Sequence, residues 1–221
     1  MRNQVIQAII THKIIAIVRG AQEAQALAAA KALHQGGIHL VEVTFNQAQP
    51  DSFSHTANAI RAIHDQFGEQ VLVGAGTVTS VELVEMAAQA GASYIISPDT
   101  DPTVIRCTRE LGLVSIPGAY TASEAKQAYN SGADFVKLFP CVSDGPAYLK
   151  ALCAPLNHIR FLAVGGVNAD NCATFLKAGA VGVGVGGCLV NKKWLETGEY
   201  SRITDEARRF VANIQESEKE R

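Results

Sequence analysis

Short apolar runs rich in β-branched residues recur along the chain at intervals of roughly 20 to 30 residues. They are Ile14–Val18, Ile38–Val43, Val71–Gly74, Tyr94–Ser97, Val114–Ile116, Phe135–Leu138, Arg160–Val164 and Val181–Val185. Each is short enough for a buried strand. Between them lie Gln22–Gln35, Asp51–Phe67, Ser80–Ala90, Pro102–Leu111, Ala122–Ser131, Gly145–Leu152 and Ala169–Ala178, Ala-rich segments whose apolar residues fall on one helical face. Punctuation agrees with that parsing. Thr79 and Ser80 precede one helix, Asp101 stands before Pro102, and Gly36, Gly91, Gly112, Gly132 and Gly179 sit just past helix ends.

Strands alternating with helices predict a parallel sheet, and eight such units in 221 residues match a compact (β/α)8 barrel of the TIM type. An open doubly wound sheet is the runner-up, but no GxGxxG follows the first strand. Met1–Ile10 reads as an extra helix before the first strand, and Trp194–Glu218 as a final helical region. No Pro/Ser-rich linker or charge block divides the chain, so residues 1–221 are expected to form one domain.

Composition narrows the partners. With 48% hydrophobic residues the chain can bury a sizeable core, and 19 Lys plus Arg against 21 Asp plus Glu leaves a net charge of −2. Nucleic acid and anionic membrane surfaces are unfavourable partners for such a balance. Met1–Val18 is interrupted by Thr11, His12 and Lys13, and holds neither a signal-peptide core nor the roughly 20 apolar residues of a membrane span. Ala180–Val190 is apolar but Gly-rich and too short to cross. The five cysteines, Cys107, Cys141, Cys153, Cys172 and Cys188, contain no CxxC pair and read as free thiols in a reducing compartment. The cytoplasm is the expected location.

In a barrel, reactive groups stand at the C-terminal ends of strands. The period of two puts Leu40, Glu42 and Thr44 on one side of the second strand, and Phe135, Lys137 and Phe139 on one side of the sixth. If both sides face inward, a carboxylate and an amine meet across a dry interior. A buried salt bridge is the alternative role for that pair. An ordinary lysine is neutral in about one molecule in 2,500 at pH 7, so a nucleophilic Lys137 requires burial beside Phe135 and Phe139.

Glycines end the last two strands, at Gly165-Gly166 and at Gly186-Gly187-Cys188, where bare backbone N–H groups can hold a phosphate; tight turns at the rim are the plainer role. Thr77, after Gly74-Ala75-Gly76, offers a hydroxyl to the same mouth or a helix cap. Arg19 offers a carboxylate partner or a solvated charge. His12, His34, His39, His55, His64 and His158 are scattered, and no metal-ligand spacing is visible.

Taken in order, Ile17-Val18-Arg19-Gly20, Glu42-Val43-Thr44, Gly74-Ala75-Gly76-Thr77-Val78, Ile96-Ser97-Pro98, Ile116-Pro117-Gly118, Val136-Lys137-Leu138-Phe139-Pro140 and Val164-Gly165-Gly166 make the chain resemble the 2-keto-3-deoxy-6-phosphogluconate (KDPG) aldolase / 4-hydroxy-2-oxoglutarate (KHG) aldolase family. The resemblance runs over nearly the whole chain. It implies a class I pyruvate aldolase that needs no cofactor or metal, acts on a small 2-keto-3-deoxy sugar acid phosphate and assembles as a homotrimer. It implies Lys137 as the Schiff-base lysine, Glu42 as the general acid/base, Thr77 as a contact to the pyruvate part, and Gly165, Gly166, Gly186 and Gly187 as the phosphate cradle. Pro98, Val164, Cys188 and Arg19 join these as substrate-binding candidates. Three positions depart from the common KDPG pattern: Asn46 for an Arg, Val164 for a Thr, and Cys188 for a Ser. They bring the galactonate epimer in as an alternative substrate, with Arg19 supplying the missing cation. A phosphosugar epimerase and a non-catalytic phosphate-binding barrel are the rivals from other classes.

Overall fold

The computed structural model describes residues 1–141 and 145–219. Helix α1 (Arg2–His12) leads into β1 (Ile14–Val18), followed by α2 (Glu23–Gln35), β2 (Leu40–Thr44), α3 (Phe53–Phe67), β3 (Leu72–Gly76), α4 (Val81–Gln89), β4 (Tyr94–Ile96) and α5 (Pro102–Glu110). Then come β5 (Val114–Ile116), β6 (Gly118–Ala119), α6 (Ala122–Asn130), β7 (Val136–Leu138), α7 (Gly145–Cys153), β8 (Phe161–Val164), α8 (Cys172–Lys177) and β9 (Gly182–Val185). Helices α9 (Lys192–Thr197) and α10 (Tyr200–Lys219) complete the chain.

All pairings are parallel, and the strand order is β5-β4-β3-β2-β1-β9-β8-β7-β6. The eight strands expected from sequence become nine segments because Pro117, which has no N–H to give a ladder, splits the fifth into β5 and β6. Its carbonyl still accepts from Lys137 N–H at 2.8 Å, so the split strand closes the (β/α)8 barrel between β4 and β7.

Two apolar layers follow from strand parity. Ile15, Leu40, Tyr94, Ile96, Val114, Ile116, Phe135 and Leu162 fill the barrel interior, and Val5, Ile6 and Ile9 of α1 plug it at the N-terminal ends of the strands. Ala16, Val18, Val41, Val43, Val73, Ile95, Val136 and Ala163 face outward onto the helices. The plug is tied down electrostatically. Asp134 pairs with Arg2 and, at 3.1 Å, with Arg109, and accepts from Ser115 N–H at 3.0 Å.

Several boundaries moved. Helix α8 starts at Cys172 rather than Ala169, and the final helical region is two helices parted at Gly198. Ser80 and Asp101 cap α4 and α5 as expected, accepting from Leu83 and Thr103 N–H. After α2, however, it is Gly37, with φ +89, that takes the left-handed conformation; Gly36 lies at φ −87 and is needed for space, since a Cβ there would stand 2.4 Å from Ala207 Cβ on α10. Among the described residues no helix is long and apolar enough to cross a membrane.

Candidate active site

Lys137 lies mid-strand in β7 and Glu42 mid-strand in β2, both pointing into the barrel and 6% and 2% exposed. They form no ion pair within 4.0 Å and no hydrogen bond among the described residues. Neither head group is sealed, since His34 Nδ1 is the one buried side-chain polar atom without a partner among the described residues. A salt bridge holding the core together would close that gap. Here no such bridge forms; the ring of Phe139, 4.6 Å from Lys137 Nζ, also lines the cavity at the C-terminal mouth.

Both groups are shifted towards neutrality. Burial drives the Glu42 carboxyl above the ordinary carboxylate range, against the pull of Lys137 and Arg19. Burial lowers the Lys137 ammonium; Glu42 opposes that shift and the Arg19 guanidinium reinforces it. Beneath them the phenol of Tyr94 is fully buried, held far above its usual range by burial and by Glu42.

The space for this pair is made by glycine. Gly76 stands beside Thr44 in the β2–β3 register, and a Cβ there would lie 1.7 Å from Glu42 Oε1. At Gly74 a Cβ would lie 2.2 Å from Cδ2 and Cε2 of the Tyr94 ring. The period-two spacing of Gly74 and Gly76 on the strand beside Glu42 is a signal sequence reasoning passed over.

A cavity of about 920 Å³ opens above, lined by Arg19, Val164, Gly165, Gly166, Gly186, Gly187 and Cys188 together with Phe139 and Lys192. The N–H groups of Gly166 and Gly187 have no protein acceptor among the described residues. Cys188 is exposed, and its thiol donates to Val167 O at 3.2 Å, tying the two glycine loops together. Thr77 lines a smaller adjoining cavity of about 290 Å³ that shares Arg19 and Asn46 with the larger one. It caps no helix, because Ser80 caps α4. Pro98 lines a third cavity of about 360 Å³ with Gly118, Tyr120 and Phe139, the last of which also lines the 920 Å³ cavity.

Arg19 is exposed at the end of β1 with no ion pair among the described residues, so its charge faces the mouth. Lys192, missed by the sequence reading, reaches the same cavity from the first turn of α9 and pairs only loosely with Glu196, at 3.6 Å. It follows the Gly186-Gly187-Cys188 loop by only four residues, a signal in the local sequence. His12, His34 and His39 do meet, with ring centroids 4.6 and 5.2 Å apart, but beside the N-terminal end of β2, away from the mouth.

A parallel barrel whose C-terminal mouth holds a buried lysine, an unpaired buried carboxylate and bare glycine loops has the parts of a Schiff-base enzyme acting on an anionic carbonyl compound. Comparison with known proteins agrees. The family model for KDPG and KHG aldolase matches residues 5–206. The 2-dehydro-3-deoxy-6-phosphogalactonate aldolase of Escherichia coli (strain K12) is 39% identical over 177 residues, 80% of this chain and 83% of that one. The 2-dehydro-3-deoxy-phosphogluconate aldolase of Treponema pallidum (strain Nichols) is 33% identical over 193 residues, 87% and 89%. The crystal structure of KDPG aldolase from Legionella pneumophila, with pyruvate captured as a covalent carbinolamine intermediate, superposes with a TM-score of 0.82 at 26% identity, covering 92% of this chain and 96% of that one. The chain belongs to the KDPG and KHG aldolase family, and is an aldolase and hence an aldehyde-lyase.

Proposed function

We propose that the protein is a class I aldolase that cleaves 2-keto-3-deoxy-6-phosphogluconate to pyruvate and glyceraldehyde 3-phosphate, with 4-hydroxy-2-oxoglutarate, which gives pyruvate and glyoxylate, as a further substrate. The observation that carries this is the open pairing of Lys137 with Glu42, two buried and neutral-leaning groups with no bond to each other. Neutral Lys137 attacks the C2 ketone, and loss of water gives an iminium that draws electrons from the C3–C4 bond. Glu42, directly or through one water, takes the proton of the C4 hydroxyl as that bond breaks and the aldehyde leaves. The enamine left on Lys137 is protonated at C3, with Glu42 returning the proton, and water then releases pyruvate and restores the amine.

Arg19 and Thr77 fit the carboxylate and carbonyl end of the substrate; Gly165, Gly166, Gly186, Gly187 and Cys188 fit the phosphate, whose charge Lys192 also meets at the rim. Pro98 joins them as a substrate-binding residue beside Phe139, which lines both its cavity and the larger one. Residues 1–221 work as one catalytic domain, and the homotrimer and cytoplasmic location implied by the resemblance complete the reading.

Val164 favours a second reading, the galactonate epimer. It is 8% exposed in the cavity wall, where the common KDPG pattern has a Thr hydroxyl, and the 39% identical relative is a phosphogalactonate aldolase. Valine keeps the shape and loses the hydrogen bond, about 1 kcal/mol. Rates of pyruvate release from the two C4 epimers should therefore differ by less than about tenfold, and Val164→Thr should shift the ratio by about fivefold towards gluconate. A hundredfold preference for gluconate that Val164→Thr leaves unchanged rules out the second reading, while no pyruvate from either epimer rules out both.

A further inference from the structure

Thr77 is a β-branched residue at φ 57, in the left-handed region that such side chains rarely enter. What holds it there can be traced bond by bond. The peptide before Thr77 is fixed by Gly76 O, which accepts from Phe45 N–H at 2.9 Å. The peptide after it is fixed at both ends: Val78 N–H donates to Ile96 O at 3.2 Å, and Thr77 O accepts from Gln47 Nε2 at 2.7 Å. Of these three bonds only the last comes from a side chain.

Gln47 is itself presented by a local turn. Asn46 Oδ1 accepts from Ala48 N–H at 3.1 Å, Asn46 Nδ2 donates to Gln49 Oε1 at 3.1 Å, and Asn46 O accepts from Gln49 N–H at 3.0 Å. The Asn that stands where the common KDPG pattern has an Arg thus builds the turn from which Gln47 reaches across to β3. Arg19, Asn46, Gln47 and Thr77 wall one cavity, and the Thr77 hydroxyl is left free for it because Ser80 caps the next helix.

We propose that Gln47 is a positioning residue: its amide clamps the Thr77 carbonyl, holding Thr77 in the left-handed conformation that aims its hydroxyl at the pyruvate half of the substrate. This rests on the proposed contact between Thr77 and pyruvate. The clamp acts on binding of the keto acid, so it governs the pyruvate concentration needed for imine formation and leaves the bond-breaking step alone.

The test is borohydride trapping of the imine as a function of pyruvate concentration in wild type, Gln47→Glu, Thr77→Val and the double variant. Gln47→Glu keeps the size and replaces the donor by an acceptor. It should raise the half-saturating pyruvate concentration by about 5- to 30-fold, the worth of one hydrogen bond, with the maximal trapping rate within about threefold of wild type. Thr77→Val should raise it similarly, and Gln47→Glu should add nothing further in that background. If Thr77→Val changes nothing, the pyruvate contact fails and takes the clamp with it. If Thr77→Val is impaired while Gln47→Glu behaves as wild type, or if the two effects multiply, the contact stands and the clamp is refuted.

Discussion

Gly76→Ala separates the two halves of the proposed chemistry with a single methyl group. The added Cβ would stand 1.7 Å from Glu42 Oε1, 2.5 Å from Cδ and 2.6 Å from Cγ, against an ordinary contact of about 3.5 to 4 Å. The Glu42 side chain must therefore swing aside by well over 1 Å. The φ of Gly76 is not positive, so alanine adds no backbone strain of the left-handed kind. Lys137 lies on β7, across the interior from the added methyl. Displacement of a positioned acid/base costs about 10² to 10⁴ in rate. Cleavage, followed as pyruvate release, should fall by that factor, while the trapped yield of the pyruvate imine stays within about threefold. Because both changes act through one carboxyl group, Gly76→Ala should add little to Glu42→Gln. Cleavage within about threefold of wild type, or losses that multiply in the double variant, would remove Glu42 from the bond-breaking step.

Two further outcomes follow from the electrostatics of the pair. Arg19 pushes the Lys137 ammonium towards deprotonation, so Arg19→Met should raise the lysine pKa and move the acid limb of the pH profile for imine formation to higher pH; an unmoved or lowered limb contradicts the placement of Arg19. Because the folded state lowers the Lys137 pKa, it binds fewer protons than the unfolded chain just below the free-lysine value near 10.5, and that contribution to stability rises with pH there. Glu42 is raised, so its contribution falls as pH climbs from 4.5 through the folded pKa, and near neutrality both groups cost stability. Glu42→Gln with Lys137→Met should therefore stabilise the fold by about 1 to 4 kcal/mol at pH 7, or roughly 2 to 4 °C in Tm per kcal/mol, while abolishing activity. A lower Tm in thermal denaturation would mean that the pair supports the fold.

Much of this was legible in the chain because the interior of a barrel is written in period two. Parity alone put Glu42 and Lys137 on inward faces, and the glycine pairs marked the last two strand ends. The break at Pro117 could have been read from the missing N–H. What could not be read depends on elements that meet only in space: Pro98 lines a cavity of its own with Phe139, Thr77 one that adjoins the main cavity, and α10 leaves no room for a Cβ on Gly36. The choice between a salt bridge and an open pair was likewise beyond the sequence, because it turns on a distance across the barrel that no periodicity encodes.

Lys137 is the residue proposed to form the covalent bond to substrate. Incubation with pyruvate and borohydride, followed by digestion and mass spectrometry, tests it directly. One adduct per chain is expected, of pyruvate less a water plus two hydrogens, on the peptide that contains Lys137 and absent from Lys137→Met. An adduct on Lys13, Lys150 or Lys192 instead, or no adduct at saturating pyruvate, would contradict it.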